Sequence, residues 1–240
     1  MADFIDRHSI VRSIWGNSDL ILLVFAGAAA EFALNRAVYW LFFTNRIPND
    51  PLGRLFSTVR YAQEIVFADE ASARQTLERI PEWAYRDVLY MLIDYSERAY
   101  ELLRRPLTLA EKRELYDVFY RVGVGLSVRE LPASYAEWPI DRQLHLERDL
   151  VYSPHTALLY EKYRQHLGWW RYQLVLRLQA ALAPDRVRHL LKLEPMPLFT
   201  PALQTYGLVG VGGLRRVVQW LLLPANYLEE VRRLDHAGTA

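Results

Sequence analysis

The chain has 240 residues, with 29 basic and 28 acidic side chains, a formal net charge of +1, and 52% hydrophobic and 13% aromatic content. That composition excludes a disordered chain and supplies ample material for a sizeable, aromatic-rich core. The near-balanced charge leaves no field to steer the chain onto nucleic acid, and the lack of any cysteine excludes disulfides, thiolate catalysis, iron–sulfur clusters and cysteine zinc sites. A cysteine-free chain fits a reducing, cytoplasmic setting. Lys112, Lys162 and Lys192 are the only lysines, so 26 of the 29 basic residues are arginine. Genomic base composition is the plain account of that bias; the sharper one is that some guanidiniums hold buried carboxylates or phosphates in forked geometry.

The amino terminus, Met1 to His8, has no basic stretch leading into an apolar core and does not read as a signal peptide. A helix is expected over about 4–15, within an opening segment 1–17. Ser18 is expected to cap a long helix over about 19–43, whose apolar run Leu20 to Ala30 is too short for a membrane span and reads as core. Glu31, Asn35 and Arg36 interrupt that run and must be paired if buried, for which neighbouring helices are preferred over a ligand site. Pro48 and Pro51 break the chain, because proline lacks an amide donor and pushes its predecessor out of the helical region. The next helix sets Arg54 and Thr58 at i and i+4, a guanidinium and a hydroxyl on one face.

A short helix capped by Asp69 is expected to stop at Ile80-Pro81. From Glu82 to Arg104 the apolar set Tyr85, Val88, Leu92, Tyr95, Ala99, Leu102 recurs at helical spacing and predicts one buried stripe, leaving Asp94, Glu97 and Glu101 on solvated faces. Thr108-Leu-Ala-Glu111 and Ser134-Tyr-Ala-Glu137 both read as capping boxes, and the first helix turns Leu115, Phe119, Val122 and Leu126 inward. Ser153-Pro154 starts another helix, which Gly168 either ends or interrupts. Ala183-Pro184-Asp185 restarts the chain, and Glu194 to Pro201 is expected to be a non-helical wrapping loop. A final helix runs from near Gly213, breaks at Pro224 and resumes to Leu234, with 235–240 a loose tail. No stretch alternates with period two long enough for a strand. The expected fold class is all-α: a single domain, 1–240, of about eight to ten helices around an apolar core.

The pattern Asp50-Pro51-x-x-Arg54-Leu55-x-x-Thr58, followed by Phe67-Ala68-Asp69, resembles the MpaB-type oxygenase and latex-clearing-protein family. Also similar are the helix Asp87 to Leu103, the turn Arg105-Pro-Leu-Thr-x-x-Glu111, Leu131-Pro-Ala-Ser-Tyr-Ala-Glu137, Leu167-Gly-Trp-Trp-Arg171 and Leu222-Leu-Pro224, so the likeness runs from roughly Leu20 to Leu234. The resemblance implies an all-helical, haem b-dependent oxygenase acting on an apolar, isoprenoid substrate. Arg54 and Thr58 are then the catalytic candidates, facing a central cavity and holding a propionate, bound oxygen or a ligand head group. The structural alternative has Arg54 bridging helix ends and Thr58 bonding back to its own helix.

Two positions depart from the family pattern. Relatives carry a proximal histidine in a His-x-x-Val-x-Gly setting, whereas the corresponding Leu77 to Tyr85 has none, and no histidine occurs between His8 and His145. The lysine that rubber-cleaving relatives place just before the threonine is Ser57 here. Haem iron needs an axial nitrogen, sulfur or phenolate, so the cofactor-binding candidates become His155, His166 or a tyrosine. The competing expectation is a haem-free member of the fold that binds a hydrophobic ligand or a partner protein.

No His-Glu-x-x-His or Glu-x-x-His pattern is present for a zinc or di-iron centre. Asp185 and His189, one turn apart, are expected to pair at the surface, and His155 and His166 are expected on opposite sides of one helix. Gly207-x-x-Gly210-x-Gly212-Gly213 reads as a close-packed turn rather than a phosphate loop. Trp169-Trp170-Arg171 would suit peripheral contact with a membrane surface, but core packing is the expected role of these tryptophans. No transmembrane segment is expected, and nothing indicates the oligomeric state.

Overall fold

The structure is a computed structural model that describes residues 4–36, 38, 63, 65–78 and 85–209. The helices containing Arg54 and Thr58 and running from Gly213 to Leu234, and the Ile80-Pro81 stop, lie outside the described residues. Ten helices make up the described fold: α1 Ile10–Trp15, α2 Ser18–Phe32, α3 Glu70–Glu78, α4 Tyr85–Leu103, α5 Leu109–Gly125, α6 Trp138–Asp149, α7 Pro154–Leu167, α8 Trp169–Leu182, α9 Asp185–Leu191 and α10 Phe199–Val209. The class is all-α, with no strand among the described residues and an isolated β-bridge between Asn35 and Leu150.

Local chemistry explains most of the helix starts. Thr108 and Glu111 form a reciprocal capping box, with the Thr108 hydroxyl 3.3 Å from the Glu111 amide and the Thr108 amide 2.8 Å from the Glu111 carboxylate. Ser153 caps α7 with Pro154 in its first turn, and Asp69 Oδ1 accepts from the amides of Ala71 and Ser72, both at 3.0 Å. Gly168, at φ +73°, ends α7, and α8 begins at the next residue.

Several expected boundaries move. The first helix starts at Ile10 rather than near residue 4, because Ser9 caps it and Asp6 folds the preceding residues into a turn. Asn17, not Ser18, caps α2, accepting from the amides of Asp19 and Leu20. α2 ends at Phe32, and beyond it Leu34 and Asn35 pair with the strand-like pair Leu150 and Val151; the Val151 amide is 2.9 Å from the Leu34 carbonyl. Ser134 to Glu137 is a turn before α6, not its cap: Glu137 reaches back to the Ala133 amide at 3.0 Å, and Pro139 sits in the first turn of α6. The expected loop Glu194 to Pro201 already becomes helical at Phe199, since Pro201 falls in the first turn, where no amide donor is needed. Gly207 lies inside α10 rather than in a turn, although its packing is close: a Cβ there would meet the Leu103 carbonyl at 1.9 Å.

α4 is the central element and touches α2, α5, α8 and α10. It is buried well beyond one stripe, through Leu89, Tyr90, Met91, Ile93, Tyr95, Ser96, Ala99 and Leu103. Leu20 to Ala30 forms the core helix α2, as its apolar run predicts. The α2–α4 contact is set by Gly27, where any Cβ would lie 2.2 Å from the Tyr95 ring. Trp15 and Trp138 are core residues, but Trp169 and Trp170 are 72% and 41% exposed, which corrects the expectation that they serve core packing. Among the described residues, no helix is long and apolar enough to cross a membrane.

A Gly27→Ala substitution forces α2 and α4 apart or tilts the Tyr95 ring. The expected cost is about 2–3 kcal/mol, a fall of about 5–10 °C in melting temperature by circular dichroism. An unchanged melting temperature would contradict this reading of the helix contact.

Candidate functional site

Three helices bring their polar residues to one buried place. α4 carries Asp87, Tyr90, Asp94 and Arg98 at spacings of three and four, so they share a face. α2 carries Glu31 in its last turn, with Asn35 just beyond the helix, and α6 supplies Asp141, Arg142 and His145. Arg142, 5% exposed, lies at the centre. Its Nη1 donates to Glu31 Oε1 at 2.8 Å and Nη2 to the second Glu31 oxygen, a forked pair. Its Nε donates to Asp94 Oδ2 at 3.0 Å, and Arg98 takes the other Asp94 oxygen at 2.7 Å. The expected pairing of Glu31 and Asn35 with neighbouring helices is what the structure shows, while Asp94 and Glu97 are drawn inward rather than solvated.

His145 is 1% exposed and extends the cluster. Its Nδ1 lies 3.1 Å from Arg142 Nη1, and its Nε2 lies 2.7 Å from Asp87 Oδ1. A guanidinium can only donate, so Nδ1 accepts and the Nε2–H donates to Asp87. The other Asp87 oxygen accepts from Asn35 Nδ2 at 2.7 Å. Tyr90 packs edge-on against His145, its hydroxyl donates to Asp141, and the Arg86 guanidinium sits 5.2 Å over its ring.

The electrostatics follow from burial and pairing. Burial pushes the Asp94 carboxyl up, but the guanidiniums of Arg142 and Arg98 outweigh it and hold the group below the ordinary carboxylate range. Burial likewise opposes ionisation of Asp87, and hydrogen bonds from His145 and Asn35 reverse that. Burial and the bond to Asp141 push the Tyr90 phenol up to about 12. Every carboxylate and guanidinium named here has a partner and both His145 nitrogens are engaged, so the arrangement ties α2, α4 and α6 together.

Of the predicted site residues, His155 and His166 do not join this cluster. Arg54 and Thr58 lie outside the described residues. His155 and His166 are both half-buried on α7, and His166 Nδ1 lies 2.9 Å from the Lys162 carbonyl. Eleven residues of helix separate them, which puts them about 20° apart around the axis and about 16 Å apart along it. They therefore lie on the same side, not opposite ones, and distance is what keeps them from sharing an ion. Both flank the buried stripe Leu159, Tyr163, Leu167 rather than lying in it. Asp185 pairs with Arg188 rather than His189. No group of three or more potential metal ligands gathers among the described residues. His145 thus has both ring nitrogens engaged and offers none to a haem iron, while His155 and His166 border the core without entering it.

Arg142 and His145 were missed at the level of sequence. The available signal was the polar series at helical spacing on α4 facing Asp141, Arg142 and His145 on α6, a stripe too regular for random surface.

Among known protein families, the model for the catalytic domain of ER-bound oxygenase mpaB/B' and rubber oxygenase matches residues 81–220. No curated protein and no solved structure matches the chain.

Beside the cluster, Glu97 has one carboxylate oxygen 3.2 Å from the Tyr135 hydroxyl and 3.4 Å from Lys112 Nζ; its other oxygen is buried with no hydrogen-bond partner. Burial, reinforced by Asp94 and only partly offset by Lys112, pushes Glu97 up to about 7. A carboxyl raised in the folded state adds stability below its unfolded value, and that contribution is lost as pH rises through 4.5 towards about 7. Glu97→Gln is therefore expected to gain on the parent chain over that window by on the order of 3 kcal/mol. Denaturant unfolding between pH 5 and 8 checks it, and parallel curves for the two chains would contradict it.

Proposed function

The chain belongs to the mpaB/rubber oxygenase catalytic-domain family, and on that premise we propose that it is an oxidoreductase of the oxygenase class acting on an apolar, isoprenoid-type substrate. The carrying observation is that the family match, 81–220, takes in every described helix from α4 to α10. An apolar substrate is supported by a chain that is 52% hydrophobic and 13% aromatic. Arg54 and Thr58 are the proposed catalytic pair, a charged donor and a hydroxyl four positions apart in the sequence. Haem b is the cofactor that the family resemblance implies, with His155, His166 or a tyrosine as its proposed ligand; His145 offers it no free nitrogen, and no step of the proposal runs through it. The cysteine-free sequence supports a cytoplasmic, reducing setting.

Two observations favour a second reading. His145 is closed on both nitrogens, and the sequence has no histidine where relatives carry the iron ligand. In that reading the domain is haem-free and binds a hydrophobic ligand or a partner protein.

The test uses full-length protein expressed with a haem precursor, with its visible spectrum and iron content recorded and oxygen uptake followed on adding a short isoprenoid hydrocarbon. Substrate-dependent uptake is expected, falling about a hundredfold in Arg54→Ala and in Thr58→Val, the scale of losing one transition-state donor. No uptake, a featureless Soret region and no iron would overturn the oxygenase reading in favour of the haem-free one.

A further inference from the structure

The corner between α7 and α8 exposes what a core-building chain normally hides. Gly168 makes the turn at φ +73°, a backbone conformation that a side chain would strain, and nothing lies within 4 Å of where its Cβ would be. α8 begins immediately after it, so Trp169 and Trp170 stand at the apex, 72% and 41% exposed. The Arg171 guanidinium lies 4.4 Å over the Trp170 ring. Residues 169, 173 and 177 recur at i, i+4 and i+8 with Trp170 beside them, so one outward side of α8 carries both tryptophans and Arg177. The opposite side is committed, since Tyr172 and Val175 pack against Leu159, Tyr163 and Leu167.

Charge distinguishes this corner from an ordinary apolar face. From Lys162 to Pro184 the chain has no carboxylate but carries Lys162, Arg164, Arg171 and Arg177, in a protein whose net charge is +1. The nearest acid, Glu161, is neutralised by a forked pair with Arg164. Tryptophan prefers the headgroup level of a bilayer, where its ring is half apolar and its N–H stays wet, and arginine lays its stem on apolar surface while its head meets anionic groups. We propose that the α7–α8 corner docks the domain peripherally onto an anionic phospholipid surface, with Trp169 and Trp170 at headgroup level and Arg171 and Arg177 facing the lipid phosphates. This does not depend on the oxygenase reading.

The experiment is co-sedimentation of the full chain with vesicles of phosphatidylcholine alone and of phosphatidylcholine with about 30 mol% phosphatidylserine, at low and high salt. Binding to the anionic vesicles is expected, weakening with salt, and Trp169→Ala/Trp170→Ala should weaken it about tenfold or more. Arg171→Gln/Arg177→Gln should remove the preference for phosphatidylserine. All four side chains are exposed or half-buried, so an unchanged melting curve shows that each variant is folded. Sedimentation with neither vesicle, or equal binding by the double tryptophan variant, would overturn the proposal. So would a dimer in sedimentation velocity that the same variant makes monomeric, which would identify a second copy of the chain as the occupant.

Discussion

A buried guanidinium is tolerable only when its donors are all taken, and Arg142 meets that condition by drawing three helices to itself. Glu31 from α2 receives the fork, Asp94 from α4 receives the Nε side, and His145 from its own helix receives a third contact. Lysine could not do this, because one point charge cannot hold two carboxylates and a ring nitrogen in fixed directions. Set against well-packed apolar residues, such a cluster adds little net stability, yet losing one partner strands the others at a cost of about 3–5 kcal/mol. The registers of α2, α4 and α6 are therefore coupled. The coupling continues through His145 and Asp87 to Asn35, whose backbone bridge to Leu150 lies where the chain turns away from α2.

Much of the fold was legible because it rests on local chemistry. Thr108 with Glu111, Ser153 with Pro154, and Asp69 with the amides after it are self-contained signals, and each marks a helix start in the structure. Two failures shifted a helix start by local chemistry, at Ser9 and Asn17, and in others a non-local partner or a neighbouring proline decided. Nothing in residues 33–43 announces that Leu34 and Asn35 will pair with Leu150 and Val151, over a hundred positions later. Ser134-Tyr-Ala-Glu137 has the letters of a capping box, but Pro139 moves the helix start past it.

The candidate site was less legible, for a physical reason. A carboxylate at helical spacing looks the same whether water or a guanidinium from another helix faces it, so Asp94 and Glu97 read as surface although α5 and α6 cover them. Glu31 and Asn35 were easier, because a polar group inside an apolar run demands a partner. The tryptophans failed in the opposite direction. Large aromatics are usually core, and only the abrupt turn at Gly168 shows that Trp169 and Trp170 point away from it.

The same geometry bears on function. A family whose name is oxygenase reaches this chain through residues 81–220, yet the one fully buried described histidine is held by a guanidinium and a carboxylate. The most direct test of that closed arrangement is a long-range nitrogen–proton NMR spectrum of the His145 imidazole, with and without an equivalent of haemin. A protonated Nε2 and an unprotonated Nδ1, with the same signals after haemin is added, are the predicted result. A proton on Nδ1, or His145 signals that shift or vanish with haemin, would contradict the account.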